Sequence, residues 1–213
     1  MQYENESEIV TDELNNQVVL TGTVSQLELY KGNTEEQTHH FMLSVNRLSG
    51  IKDMIPIAIS AELSGPDLLF EGNAITVKGK FTSFNKIVGD RSKLILNVRA
   101  NEISAATDED TNNPNTIELV GYICKAPIYR TTPFNREIAD LLLAVNRSAT
   151  KSDYIPAIAW GRNARLAKNL LVGDKVQLSG RIQSREYQKR LADDSQEIRT
   201  AYEVSINSIS RID

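Results

Sequence analysis

Apolar and polar residues alternate with a period of two through most of the chain. Ile117, Leu119, Gly121 and Ile123 share one side of their segment, as do Leu141, Leu143 and Val145. Val176, Leu178, Gly180 and Ile182 repeat the pattern, and so do Tyr202, Val204 and Ile206. This period predicts half-buried β-strands. In "DYIPAIAWG" it sets Ile155, Ala157 and Ala159 inward, and Tyr154, Pro156, Ile158 and Trp160 outward. "GRNARLAKNLLVGD" instead predicts a short helix, with Leu166 and Leu170 inward and Gly173 stopping it. The second half therefore reads strand, strand, strand, helix, strand, strand.

The first half repeats it. "LSVNRLSGIKDMIPIAISA" (43–61) aligns without a gap on "LAVNRSATKSDYIPAIAWG" (143–161), "NQVVLTGTV" on "NTIELVGYI", and "GNAITVKGKFTSF" on "GDKVQLSGRIQSR". The offset between copies drifts from 99 to 101 and then jumps to 106, which puts about five extra residues in "QKRLADDSQEIR", a loop between the last two strands. Five strands with a helix between the third and fourth define the oligonucleotide/oligosaccharide-binding (OB) barrel. The predicted fold is all-β: two tandem five-stranded OB barrels, each with a short helix between strands 3 and 4. The helix of the first copy, "AELSGPDLLFEGN", is interrupted by Gly65 and Pro66. The expected organisation is an acidic N-terminal segment (1–14), a first barrel (15–104), a linker rich in Asp and Asn (105–114) and a second barrel (115–213). Each half, at about 100 residues, is long enough to bury a modest core.

Composition narrows the chemistry. The chain of 213 residues is 40% hydrophobic and 24% charged, ordinary for a soluble domain. Nothing reads as a membrane span or a targeting peptide, so a cytoplasmic location is expected. One cysteine, Cys124, permits no intrachain disulfide and reads as a strand-end residue. The two histidines, His39 and His40, are adjacent and point to opposite faces of a strand, a poor start for a metal site. No phosphate loop or serine elbow is present, so neither an enzyme nor a cofactor is expected. Residues 1–110 carry 9 Lys+Arg against 17 Asp+Glu; residues 111–213 carry 15 against 11. A polyanion would favour the second half.

The second half resembles the bacterial single-stranded DNA-binding protein family along residues 115–211, through "NTIELVGYI", "APIYRTTP", "LLLAVNRS", "SDYIPAIAWGRNARLAKNL", "GDKVQLSGRIQSREY" and "EVSINSI". The first half is similar to a degenerate copy. The resemblance implies non-catalytic, largely sequence-independent binding of single strands in replication, repair or recombination, in the cytoplasm at the nucleoid. The family works with four barrels, which implies a homodimer here. It usually carries an acidic recruiting tail, where this sequence stops at "SISRID", and a stacking aromatic after "VNRS", where this sequence has Ala149.

Bases need aromatic platforms and phosphates need cations. Tyr154 and Trp160 are six residues apart on one strand face, about 20 Å along it. With Tyr187 they fall where the family stacks bases. Arg130, Arg147, Lys175, Arg181, Arg185, Lys189 and Arg190 are the candidate phosphate contacts, and Phe84, Lys80 and Lys86 a secondary set. Arg162, Arg165 and Lys168 fit a solvated helix face equally well. Tyr122 fits binding or packing, Tyr154 also fits a subunit contact, and Tyr202 reads as core.

The first copy has Met54, Pro56, Ala58 and Ser60 where the second has Tyr154, Pro156, Ile158 and Trp160, although Tyr30-Lys31 echoes Tyr129-Arg130. Its core side, Ile55, Ile57 and Ile59, is intact. The first barrel is thus expected to serve assembly more than DNA, with Met54, Pro56 and Ala58 a candidate contact between copies. An alternative is a primosome-like or mobile-element accessory protein whose barrels mainly contact other proteins; replication or repair proteins are possible partners in either case. An RNA-binding barrel is a third reading.

Overall fold

The computed structural model describes residues 15–29, 37–47, 49–65, 67–89, 91–190 and 194–212. The acidic segment 1–14, the Tyr30-Lys31 echo and Pro66 lie outside them. The described strands are β1 (Asn16–Glu28), β2 (Thr38–Asn46), β3 (Lys52–Ser60), β4 (Ala74–Val88), β5 (Arg91–Ala105), β6 (Asn115–Ile123), β7 (Ile128–Thr131), β8 (Glu137–Ser148), β9 (Lys151–Trp160), β10 (Lys175–Arg190) and β11 (Gln196–Arg211). A 3-10 turn at Asp110–Asn112 joins the halves, and helix α1 spans Arg162–Ala167.

Each half closes on itself. β1 pairs with β2 and β4, β3 with β2 and, in parallel, with β5, and β5 with β4. The second half repeats this circuit with β6, β8, β9, β11 and β10, again with one parallel pair, β9 and β11. This is the OB barrel circuit, twice. A sixth strand, β7, pairs with β8 in a hairpin that alternation did not reveal. The alternating residues sit as predicted: Ile55, Ile57, Ile59, Ile117, Leu119, Leu143, Val145, Ile155, Val176 and Ile182 are all buried. Cys124 directly follows β6, and burial pushes its thiol up.

The register is interrupted at the same place in both copies, between Lys78 and Gly79 and between Ser179 and Gly180. A Cβ on Gly79 would collide with the carbonyl oxygen of Arg99, and one on Gly180 with that of Ser205. Gly180→Ala should therefore cost about 1–3 kcal/mol, the range for forced overpacking. Urea unfolding should show the loss, with Ser179→Ala within about 0.5 kcal/mol of wild type as control. The extra residues of the second copy lengthen its final hairpin: Val88 pairs with Arg91, whereas Arg190 pairs with Gln196.

Four expectations are corrected. Ala61 to Phe70 form no helix among the described residues; they make successive turns, with Leu63 N–H donating to Ser60 and Leu68 N–H to Gly65. Gly65 has φ +47°, and Ser64 Oγ donates back to Ala61 O, both of which break helical continuity. In α1 the buried face is Ala164 and Ala167, continued by Leu170, while Leu166 is 49% exposed. Ala58 and Ile158 were assigned to the outer face, yet both are buried, flanked by His40 and Arg99 and by Asp140 and Ser205. Tyr202 is only partly buried, packed against the core.

The halves are not independent. β1 pairs antiparallel with β6, with Val18 opposite Ile117, Asn16 opposite Leu119 and Leu20 opposite Asn115. These residues correspond at an offset of 99, so the pair is symmetric about its centre and creates a local two-fold axis. Thr21 N–H donates to Pro114 O and Val120 N–H to Asn15 O, each at 2.8 Å. One hydrophobic core runs through both barrels.

A second symmetric contact flanks that axis. Asp53 is fully buried; it accepts two donors of Arg47, at 2.6 and 2.7 Å, and the Ser184 N–H at 2.7 Å. Asp153, 2% exposed, likewise accepts from Arg147 and from the Ser83 N–H. Arg47 donates to Ser184 O and Arg147 to Ser83 O. Each barrel thus inserts a carboxylate that caps the other barrel's long hairpin. Met54 N–H also donates to Ser184 Oγ, so part of the surface expected between copies already meets this chain's own second barrel.

Candidate nucleic-acid interface

The strand register assembles the aromatic surface. Lys175 on β10 lies opposite Tyr122 on β6, Tyr122 opposite Ala144 on β8, and Ala144 opposite Tyr154 on β9. One row across four strands therefore carries a cation and two tyrosines, with Tyr122 40% and Tyr154 44% exposed. Tyr122 and Tyr154 are two strands apart, about 10 Å. Trp160 ends β9 opposite Ile138 and is also 40% exposed. Gly161 follows at φ +52°, turning the chain into α1.

Tyr187 stands on the β10–β11 hairpin, opposite Arg199, with the Arg185 guanidinium 5.9 Å from its ring centre. That geometry is a cation–π contact. Arg199, paired with Glu197, is held above its usual pKa by that carboxylate. Lys189 lies opposite Glu197, and exposed Arg190 pairs with Asp194 at 3.0 Å. The structure thus brings Tyr154 and Tyr122 into one row and puts Trp160 farther along the same strand. Tyr187 is set apart on the hairpin.

Several expected phosphate contacts are otherwise engaged. Arg130 donates to Asp140 at 2.8 and 3.0 Å in an exposed pair. Arg147 is committed to Asp153 and Ser83 at the junction. Arg181, expected on the open surface, is half-buried between Arg47 and Asp53, 3.7 Å from the carboxylate. Burial and the Arg47 charge lower its pKa, and its Nη1 lacks a hydrogen-bond partner among the described residues. For both arginines the reason is the same: the other barrel meets the strand there. Arg165 pairs with Glu137, and Lys168 lies 5.0 Å from the centre of the Tyr129 ring. Tyr129 donates to Glu137, which holds the Glu137 carboxyl below its usual pKa and the phenol above its own. These residues tie α1 to β7 and β8.

The sequence reading missed Asp53, Asp153, Ser83 and Ser184. The signal was present: Arg and Asp six residues apart recur at 47/53 and 147/153, in the copy that lost its aromatics as well as in the copy that kept them. A pair retained without the platforms serves the architecture.

The charge asymmetry also looks different on the fold. Residues 15–104 hold nine Lys+Arg and nine Asp+Glu, so the acidic excess of the first half lies in 1–14 and 105–110. The first barrel is neutral. On its outer face Phe84 is 47% exposed, in line along β4 with Lys80 and Lys86. Among the described residues no group of His, Cys, Asp and Glu could hold a metal ion, and no helix is long and apolar enough to cross a membrane.

Two closed barrels that share one sheet define a tandem OB-fold protein with an aromatic outer face on the second barrel. Residues 114–212, which make up the second barrel, match the model of the Single-strand binding protein family. It is 37% identical over 83 residues to single-stranded DNA-binding protein 1 of Staphylococcus aureus, covering 36% of this chain and 50% of that one. It is 35% identical over 83 residues to single-stranded DNA-binding protein A of Bacillus subtilis, covering 36% and 48%. The chain spans about half the length of the curated relatives it matches. The wild-type single-stranded DNA-binding protein of Thermus aquaticus shares the fold across both barrels, with a TM-score of 0.70 over 93% of each chain at 22% identity.

Proposed function

We propose that the protein binds single-stranded DNA without catalysis, with little sequence preference, in replication, repair or recombination. The observation that carries this reading is the exposed aromatic set of the family-matching barrel. Bases stack on Trp160, Tyr154 and Tyr187, joined by Tyr122; Lys175, Arg185, Lys189 and Arg190 neutralise phosphates. Tyrosine and tryptophan faces accept any base, which accounts for low sequence preference. Two chains pair into a four-barrel homodimer acting on nucleoid DNA in the cytoplasm; closed two-fold dimers are the commonest assembly. Light scattering should give twice the mass of one chain, and a single-chain mass would contradict the pairing.

Trp160→Ala should weaken binding of an oligodeoxythymidine by about 1–3 kcal/mol, the usual loss for one stacking platform. Its melting temperature should stay near that of wild type, because the ring is 40% exposed. Fluorescence anisotropy reads the affinity. Duplex DNA should compete poorly, since its bases are already stacked, and a uridine oligomer that bound more tightly would redirect the reading to RNA. Unchanged affinity in Trp160→Ala would remove the platform from the site.

A further inference from the structure

We propose that Phe134, at the tip of the β7–β8 hairpin, is a further base-stacking residue of the second barrel, with Arg136 and Arg162 as its phosphate contacts. The inference rests on single-strand binding at Trp160 and names where a bound strand goes beyond it.

Phe134 is 89% exposed, more than any other large apolar side chain among the described residues. The turn that carries it is fixed. Thr132 N–H donates to Arg136 O and Asn135 N–H to Thr132 O, both at 2.9 Å, and Arg136 N–H donates to Thr132 Oγ1 at 3.1 Å. Pro133 presets its own φ, and Asn135 takes the left-handed conformation, φ +58°, that asparagine tolerates. The backbone under the ring therefore has little freedom left to lose when a ligand binds.

The hairpin is fastened to the end of β9. Ile138 lies opposite Arg130 on one side and opposite Trp160 on the other. Gly161 N–H donates to Glu137 O at 2.9 Å, and the Glu137 carboxylate accepts from the Tyr129 hydroxyl and from Arg165. Phe134 is four residues from Ile138, at most about 13 Å at 3.3 Å per residue. The two rings are thus near enough for one strand and far enough apart for separate bases.

The arginines at this end divide into two kinds. Arg130 is paired with Asp140, and Arg165 with Glu137. Arg136 and Arg162 are exposed, and among the described residues neither has a carboxylate within ion-pair distance. Arg136 follows Phe134 by two residues and Arg162 follows Trp160 by two, so each aromatic has an uncommitted cation near it in the chain. A base on the ring and a phosphate on the guanidinium are the two contacts a single strand offers. For a strand that reaches the hairpin, these two cations add to those of the platform itself.

The first copy supplies an independent argument. Ala61 N–H donates to Gln37 O as Gly161 does to Glu137, and Thr38 lies opposite Ser60 as Ile138 does opposite Trp160, so the two ends correspond residue for residue. There Ser60 stands for Trp160 and Glu62 for Arg162. The segment that reads "TPFNRE" (132–137) in the second copy reads "GNTEEQ" (32–37) in the first, with no aromatic, no cation and two acids. Both aromatics and both arginines are absent together, and acids take their place. A solvated turn has no reason to change with Trp160, whereas parts of one binding surface do.

The test is fluorescence anisotropy of the full chain with an oligodeoxythymidine of about 16 nucleotides, the upper site size of one OB barrel. Phe134→Ala should bind about tenfold more weakly at an unchanged melting temperature. Phe134→Tyr, which keeps a stacking ring, should bind like wild type; Phe134→Leu, which keeps apolar character alone, should bind like the alanine variant. Arg136→Gln combined with Arg162→Gln should also weaken binding about tenfold. Phe134→Trp in a Trp160→Phe background should give fluorescence that the oligomer quenches. Wild-type affinity of Phe134→Ala, of Phe134→Leu or of the double arginine variant, or an unquenched signal from Phe134→Trp, would overturn the assignment, while Trp160→Ala still tests the platform. Failure of the wild-type chain to bind the oligomer would overturn both readings together.

Discussion

Asp153→Ala should lower the unfolding free energy by about 3–5 kcal/mol, the range for breaking a buried ion pair by removing one partner. The carboxylate is 2% exposed and holds Arg147, the Ser83 N–H and, through Ser83, the β4–β5 hairpin of the other barrel. Its removal leaves the partly exposed Arg147 guanidinium with its bond to Ser83 O alone and the buried Ser83 N–H without its acceptor, and such unmade bonds cost more than the bonds contribute when formed. The same change at Asp53 should cost a similar amount, because the local two-fold axis repeats the contact at Arg47 and Ser184. Ser83→Ala removes one hydroxyl and should cost about 1 kcal/mol. Because one sheet and one core pass through both barrels, urea unfolding should remain a single transition in all four proteins. A wild-type-like midpoint for Asp153→Ala would show that the barrels do not depend on this clamp.

The second large effect is on salt dependence. Four cations of the second barrel, Lys175, Arg185, Lys189 and Arg190, are the proposed phosphate contacts of the platform. If each neutralises one phosphate, the slope of log affinity against log salt is about −2.8, at roughly 0.7 per contact for a single strand. Raising salt from about 50 to about 200 mM should then weaken binding about fiftyfold. Arg185→Gln should make the slope shallower by about 0.7. A slope near zero would favour the alternative in which the barrels mainly contact other proteins.

How far the sequence carried these conclusions depended on whether a residue's environment lay within its own barrel. Alternation found the inward positions because strand periodicity is local: Ile55, Leu119 and Val176 needed no partner beyond their own sheet. The duplication was legible for the same reason, and with it the barrel circuit. The face of a strand can be read; what covers that face cannot. Arg147 and Arg181 were read as phosphate contacts, yet the junction engages both, since the other barrel's hairpin lies there. Ala164 and Ala167, not Leu166, face the core, because the way α1 is seated on its barrel is a tertiary fact. Tyr122 was undecided until register set it in the row of Tyr154. The neutral charge of the first barrel was in the sequence throughout, hidden by counting its flanks with it.

The most direct measurement is a titration of intrinsic tryptophan fluorescence with an oligodeoxythymidine. Trp160 is the chain's sole tryptophan, so the signal reports one position on the proposed platform. Stacking should quench it in a saturable way, reversed by added salt, with little response to duplex DNA. Unchanged Trp160 fluorescence at saturating single-stranded DNA would contradict the account.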